Sequence, residues 1–336
     1  MQNRIEQIIN NQDSNRYLFF YLISLLYGYV MNIRAKYYKK HGTKSLPCKV
    51  ISIGNLTVGG TGKTPTTIYI AKLVKDLGYK TAVISRGYRG SKEKTGGVVS
   101  NGKNIFMSVE EAGDEPFMMA NILEGIPVFI GKDRFNIGML AFKTFKPDII
   151  ILDDAFQHLK VMRDINLLLL DSNKPFGNGY ILPRGTLREP ISSINRADAI
   201  IFTRYNTKYL LPAFNTEKTF KSFYIPNIPD SLESHKIFVF SGIAKNKDFR
   251  EMLSNFDIKG FMEYPDHHTY SEKDIENIIE SAKKNGADML VTTEKDYVKI
   301  ENKLNISIPI IKIGIEVSFG NDNERFKDFI KKRLSF

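Results

Sequence analysis

Gly59, Gly60, Gly62, Lys63 and Thr64 form a short run with the chemistry to hold a phosphate. Glycines let successive backbone N–H groups turn towards phosphate oxygens, and the dipole of a helix that starts there adds to the pull. Lys63 would reach the β- and γ-phosphates, and Thr64 would place its hydroxyl on Mg²⁺. The usual spacing asks for one more glycine at position 57, where this chain has Thr57. The Gly-Thr-Gly-Lys-Thr core nevertheless stands between an apolar run and a helical pattern, the context such a loop needs.

A phosphate loop of this kind works with an acidic residue at the end of a neighbouring strand. Asp153 and Asp154 follow an apolar run in "PDIIILDDAFQH". Mg²⁺ is a hard cation held by oxygen ligands, so carboxylates at a strand end suit it. A group that steers an acceptor hydroxyl and takes its proton has to come from elsewhere. Asp114 and Glu115 beside Gly113 are candidates, although acids in the first turn of a helix explain them equally well. Asp266, His267 and His268 are others, with a solvent loop as the alternative. Adjacent histidines point in different directions and no third imidazole lies nearby in sequence, which gives little support to a metal site there.

The elements that would position these residues follow from the apolar pattern. Strands are predicted at 50–53, 81–85, 127–130, 148–152, 166–170, 199–202, 237–240, 289–291 and 309–313. Several are unbroken Val/Ile/Leu runs, as in parallel strands buried on both faces. Helical patterns lie between them, one over 64–77 ended by Gly78 and one over 272–285, where Ser271 and Asp274 form a capping pair and Gly286 follows. Alternation of strand and helix predicts an α/β fold with a mainly parallel sheet. The stretch 205–235, with Pro212, Pro226 and Pro229, breaks the rhythm and reads as a linker or extended ribbon. The expected division is an N-terminal helical segment 1–40 belonging to the first domain, a phosphate-loop domain 41–205, a linker 206–235 and a smaller α/β domain 236–336.

Composition narrows the classes. The chain has 336 residues, 42% of them hydrophobic and 25% charged, enough for two cores. Lys and Arg exceed Asp and Glu by 48 to 37, so the net charge of +11 favours an anionic partner. The single cysteine, Cys48, excludes an internal disulfide framework. The apolar run 18–30 would make a helix of about 20 Å, short of the ~30 Å bilayer core. Its interleaved tyrosines and the following Arg34, Lys36, Lys39 and Lys40 suit a helix lying in a membrane interface, with docking on the protein's own core as the alternative. A GTPase would carry Asn-Lys-x-Asp after a later strand; "AKNKDF", "TTEKDY" and "LLLDSNKPFG" do not match, which disfavours a GTP-driven switch or metallochaperone.

Taken in order, "GNLTVGGTGKTP", "SRGYRG", "AGDEP", "GKDR", "LDDAFQH", "LPRGTLREP", "SGIA", "DHHTY" and "TTEKD" resemble the tetraacyldisaccharide 4′-kinase family, the lipid A 4′-kinases of Gram-negative bacteria. The family's loop also lacks the first glycine, so Thr57 fits. The resemblance implies a P-loop NTPase-like sheet with a second, smaller α/β domain. It implies transfer of the ATP γ-phosphoryl group to the 4′-hydroxyl of a tetraacylated glucosamine disaccharide 1-phosphate, with kinases of other membrane sugar lipids as rivals. ATP and Mg²⁺ would be the cofactors. Residues Thr57, Val58, Gly59, Gly60, Thr61, Gly62, Lys63 and Thr64 would bind ATP, with Arg134 and Glu189 beside it. Thr64, Asp153 and Asp154 would serve the metal. Asp114 would be the catalytic base, assisted by His267 of the second domain, or less favourably His268. Tyr88, Gln157 and Arg188 would line the site. The expected place of work is the cytoplasmic face of the inner membrane, with the N-terminal helix in the interface. Neither nucleic acid nor an obligate protein partner is implied.

Overall fold

A computed structural model of the chain describes residues 14–208, 211–301 and 308–335. Residues 1–13 of the expected N-terminal segment, 209–210 of the linker, and 302–307 and 336 of the last segment lie outside the described residues.

The strongest apolar runs build the first sheet. Its strands are β1 (Lys49–Asn55), β2 (Thr81–Ser85), β3 (Gly97–Ser100), β4 (Val128–Ile130), β5 (Ile149–Leu152), β6 (Ile165–Asp171), β7 (Ala199–Thr203) and β8 (Thr219–Lys221), in the order β3-β4-β2-β5-β1-β6-β7-β8. Every pairing is parallel except β3 with β4. The inner strands are buried on both faces, which explains their Val/Ile/Leu runs, with polar residues such as Thr81, Ser85, Asn55 and Asp171 mostly at strand ends. β1 lies between β5 and β6, with Val50 opposite Ile150 and Ser52 opposite Leu152. The loops after β1 and β5 therefore leave the same edge of the sheet side by side, the usual ligand edge of an open α/β sheet.

The second sheet is smaller. β9 (Phe223–Asn227), β10 (Lys236–Ser241), β11 (Asp257–Glu263), β12 (Met289–Thr293) and β13 (Ile310–Ser318) are ordered β11-β10-β12-β13-β9, with β9 antiparallel to β13. The segment expected as a linker or ribbon supplies β8 to the edge of the first sheet and β9 to the edge of the second, with Ser222 between them. The chain then crosses back. Its last helix (Asn323–Leu334) buries Phe326, Ile330 and Leu334 in the core of the first sheet with Ile51 and Ile53. Phe319 stacks on Phe326 at 4.0 Å between ring centres. The expected segment 236–336 is thus divided between the two cores.

All nine predicted strands are present. The four others, β3, β8, β9 and β11, are short, contain proline, or lie half exposed, so they lack the apolar run that marks the rest.

The N-terminal helix α1 (Ser14–His41) is 28 residues long, about 42 Å at 1.5 Å per residue. This corrects the expected 20 Å. The apolar run stops near Val30, but the helix continues through Ile33, Tyr37 and Tyr38, and by length and composition Leu18–His41 could cross a membrane. It is fastened to the protein at mid-length. Ser24 Oγ donates to the Ile181 carbonyl at 2.9 Å and accepts from the Arg184 amide at 3.0 Å. The Arg184 guanidinium lies 4.7 Å from the Tyr21 ring centre. The remaining faces leave Leu18, Phe19, Leu22, Leu25, Leu26, Tyr29 and Val30 exposed.

Candidate active site

The phosphate loop joins β1 to helix α2 (Lys63–Asp76). Gly62 precedes the helix at φ 82°, and no side chain caps the first turn. Some helices close that turn themselves, as Ser108 and Glu111 do before Val109–Ala112, Ser271 and Asp274 before Glu272–Lys284 and Asp133 before Arg134–Phe145, while others, such as Asp114–Ile122, are also left uncapped. An uncapped helix start leaves its amides for an anion. Thr61 Oγ1 and Arg134 Nε are buried here with no hydrogen-bond partner among the described residues. Buried polar atoms are ordinarily satisfied, so these two fit a phosphate group well.

The loop is held from outside. Asn55 donates to the Thr57 carbonyl at 2.7 Å, Arg204 to that of Gly60 at 2.8 Å and Thr203 to that of Thr61 at 2.9 Å. Val58 to Thr64 line a deep cleft between the two sheets. Thr57 instead bridges Leu187 and is buried.

Asp153 and Asp154 leave β5 beside this loop. The Asp153 amide donates to Ile84 and the Ala155 amide to Ile53, each at 2.9 Å, so the turn is tied to both neighbouring strands. Gly54 permits the approach, because a Cβ there would lie 2.6 Å from the Phe156 nitrogen. Asp153 is buried and accepts from Thr67 and Ser85, each at 2.9 Å. Burial, aided by the Glu115 and Asp154 charges, pushes its carboxyl up to about 6. Asp154 sits 3.8 Å from Lys63 and accepts from Arg188 at 2.9 Å. Burial would raise its carboxyl, but Lys63 and Arg188 outweigh this and hold it below the ordinary value. Arg134 donates to the Gly131 carbonyl at 2.7 Å and lies 3.4 Å from that of Asp153; burial lowers it to about 10.

The opposite wall, lined by Glu115, Asp266, His267 and Lys295, unites distant segments, with Asp114 set just behind it. Asp114 begins helix α4 (Asp114–Ile122), which packs against helix α8 (Glu294–Ile300) of the second unit. His267, at φ 60°, turns its imidazole so that Nδ1 is 3.1 Å from Asp114 Oδ2. Burial pushes Asp114 up, yet the hydrogen bond with His267 and the charges of Lys299 and Lys295 leave it below its ordinary value. His267 lines the same cleft as Lys63, together with Tyr88, Gln157, Arg188 and Arg134. His268 points elsewhere: its Nε2 is 3.2 Å from Asp274, and its ring stacks on Tyr264. Glu189 also stands apart, buried in an ion pair with Arg196.

Several neighbours of the site carry no local sequence signal. Lys295 lies 3.3 Å from His267 Nε2, and Lys299 lies 3.9 Å from Asp114. Tyr224, on the strand hidden in the expected linker, brings its hydroxyl against Gly62. Only the "TTEKD" motif marked one of these segments in advance, and it did not say what the lysine would meet.

Comparison with known proteins gives a consistent picture. Residues 16–335 match the family model for tetraacyldisaccharide-1-P 4′-kinase. The tetraacyldisaccharide 4′-kinase of Desulfatibacillum aliphaticivorans is 41% identical, over 93% of this chain and 91% of that protein. That of Syntrophus aciditrophicus is 39% identical, over 88% and 87%. The crystal structure of LpxK from Aquifex aeolicus in complex with ATP superposes with a TM-score of 0.79 at 35% identity, covering 93% of this chain and 98% of the other.

Proposed function

The chain belongs to the tetraacyldisaccharide 4′-kinase family, and from that membership we propose how its cleft performs the family's reaction. The enzyme moves a phosphoryl group from ATP to the 4′-hydroxyl of a lipid A tetraacyldisaccharide. The observation that carries the reading is that Lys63, which follows a strand of the first sheet, and His267, which follows a strand of the second, line one cleft.

The triphosphate would lie on the amides that open helix α2, with Lys63 on its outer phosphates and Thr61 and Arg134 meeting its oxygens. Asp114 accepts the proton of the 4′-hydroxyl as that oxygen bonds to the γ-phosphorus and the bond to ADP breaks. A carboxylate of low basicity suits this role, because in a loose transition state the hydroxyl becomes acidic only as the new bond forms. His267 holds Asp114 in orientation. Asp154 holds Lys63 and Arg188 against the phosphates. The oxygens of Thr64, Asp153 and Asp154 form a hard donor set suited to Mg²⁺, and the raised Asp153 carboxyl is one that a cation would ionise. When bound there, the cation would supply positive charge to the phosphates. Incubation with ATP and the disaccharide 1-phosphate lipid in detergent should give the 4′-phosphorylated product by mass spectrometry. Release of ADP without that product, or a requirement for GTP, would overturn the assignment.

The exposed side of helix α1 is the membrane-facing part of this reading. A helix tied to its own protein at Ser24 is not free to stand across a bilayer, and its apolar faces suit the acyl boundary at the cytoplasmic surface of the inner membrane. The basic surplus favours acidic headgroups. Leu22 and Leu26 are 56% and 64% exposed, so Leu22→Glu/Leu26→Glu disturbs no core. Losing two leucines that would insert into the acyl boundary should lower partition onto anionic vesicles on the order of 100-fold, read by cosedimentation, with ATP affinity unchanged. Undiminished pelleting would remove the helix as the anchor.

A further inference from the structure

We propose that Lys295 is a positioning residue that locks the tautomer of His267, so that the ring carries its single proton on Nδ1 and donates it to Asp114. This rests on the reading of Asp114 and His267 as the proton-accepting pair.

The contacts leave one consistent arrangement. Lys295 Nζ is 3.3 Å from His267 Nε2, 3.2 Å from Asp266 Oδ1 and 3.4 Å from Glu115 Oε1. An ammonium has three N–H donors and no lone pair. The ring nitrogen facing it must therefore be the acceptor. A neutral imidazole has one N–H, which then lies on Nδ1, and that nitrogen is 3.1 Å from Asp114 Oδ2. A doubly protonated ring would turn an N–H towards the ammonium. Burial acts to lower Lys295, but the Glu115, Asp266 and Asp114 charges outweigh it and raise it, so the side chain stays charged.

The other groups around the ring fit this order. Asp266 Oδ2 is 3.7 Å from Nε2, but that carboxylate is engaged by Lys295. Lys299 approaches Asp114 at 3.9 Å and is itself held by Asp296 at 2.7 Å. Tyr88 and the imidazole meet in a T-shaped pair, and Arg89 donates to the His267 carbonyl, away from the ring nitrogens. Lys295 also sits in the first turn of helix α8, where a cation opposes the helix dipole. Its place is explained by the groups it reaches. The consequence is chemical: with a neutral donor on the ring rather than a cation, Asp114 keeps more of its negative charge for the acceptor hydroxyl. An imidazolium would share that charge, and the reverse tautomer would point a lone pair at the carboxylate.

The test is nitrogen NMR of the full chain labelled with ¹⁵N-histidine in detergent, beside kinetics. The chain has five histidines, and His267→Gln identifies the signal of interest. The expected wild-type pattern is a protonated Nδ1 and an unprotonated Nε2. Lys295→Met should change that pattern and lower kcat about 10- to 100-fold with KM for ATP retained. Lys295→Arg, which can still donate, should keep the pattern and most of the rate. A protonated Nε2 in the wild-type protein overturns the proposal whether or not the methionine variant folds. An unchanged pattern in Lys295→Met overturns it too, as does an altered pattern at full kcat. If the lock is seen but His267→Gln itself turns over normally, the lock stands and the pairing with Asp114 as catalytic base falls.

Discussion

Asp114→Asn should bind ATP like the unaltered enzyme and yet transfer phosphate about 10²- to 10⁴-fold more slowly, the range for loss of a general base. Asparagine keeps the shape of the side chain and can still accept from His267, so helix α4 and its packing on helix α8 should persist. What it loses is the charge that takes the proton. The decline should therefore fall on kcat, measured with detergent-dispersed lipid, while the dissociation constant for a fluorescent ATP analogue stays put. Full turnover would remove the base assignment. A parallel loss of nucleotide affinity would assign Asp114 to holding the two units together, since it is also approached by Lys299 across them.

The phosphate loop and the acid pair were legible because each rests on a local cause. Three glycines before Lys63 and Thr64 can be read without knowing the fold, and a buried parallel strand such as 149–152 advertises itself by excluding polar residues. The fold class followed from the same runs. The junction of Asp114 with His267 was not written in either segment. The two are 153 residues apart, and "AGDEP" and "DHHTY" each read alone as an ordinary helix start or loop. Their pairing was suggested by resemblance, and the choice of His267 over His268 becomes physical only when Asp274 is seen beside the latter. Elements held by contact across the fold were the hardest. β9 contains Pro226 and pairs along one side only, so its sequence looks like a linker. The last helix has an amphipathic pattern that says it packs, but not that it returns to the first sheet.

Gly62→Ala should be the most damaging single methyl group in the protein. Two independent effects act at that position. The backbone φ is 82°, and an L-residue in the left-handed region costs about 1–2 kcal/mol. A Cβ built there would also lie 1.5 Å from the Tyr224 hydroxyl. The phenol has to swing aside to make room, and Tyr224 is packed against the core of the first sheet, so that shift disturbs its packing. Either the loop flattens or the second unit moves off, and both displace the amides of helix α2 from the phosphates. Misplacement of about 1 Å can cost a factor of 10² in rate, so kcat/KM should fall at least about 100-fold. Tyr224→Phe alone should fold, since the hydroxyl is buried without a partner among the described residues. Combining it with Gly62→Ala relieves the clash and leaves the strained φ, so the double variant should recover only part of the loss. Steady-state kinetics with ATP and lipid, beside thermal melts of all three variants, separate the effects. Wild-type rates in Gly62→Ala would mean that the turn before Lys63 does not carry the triphosphate.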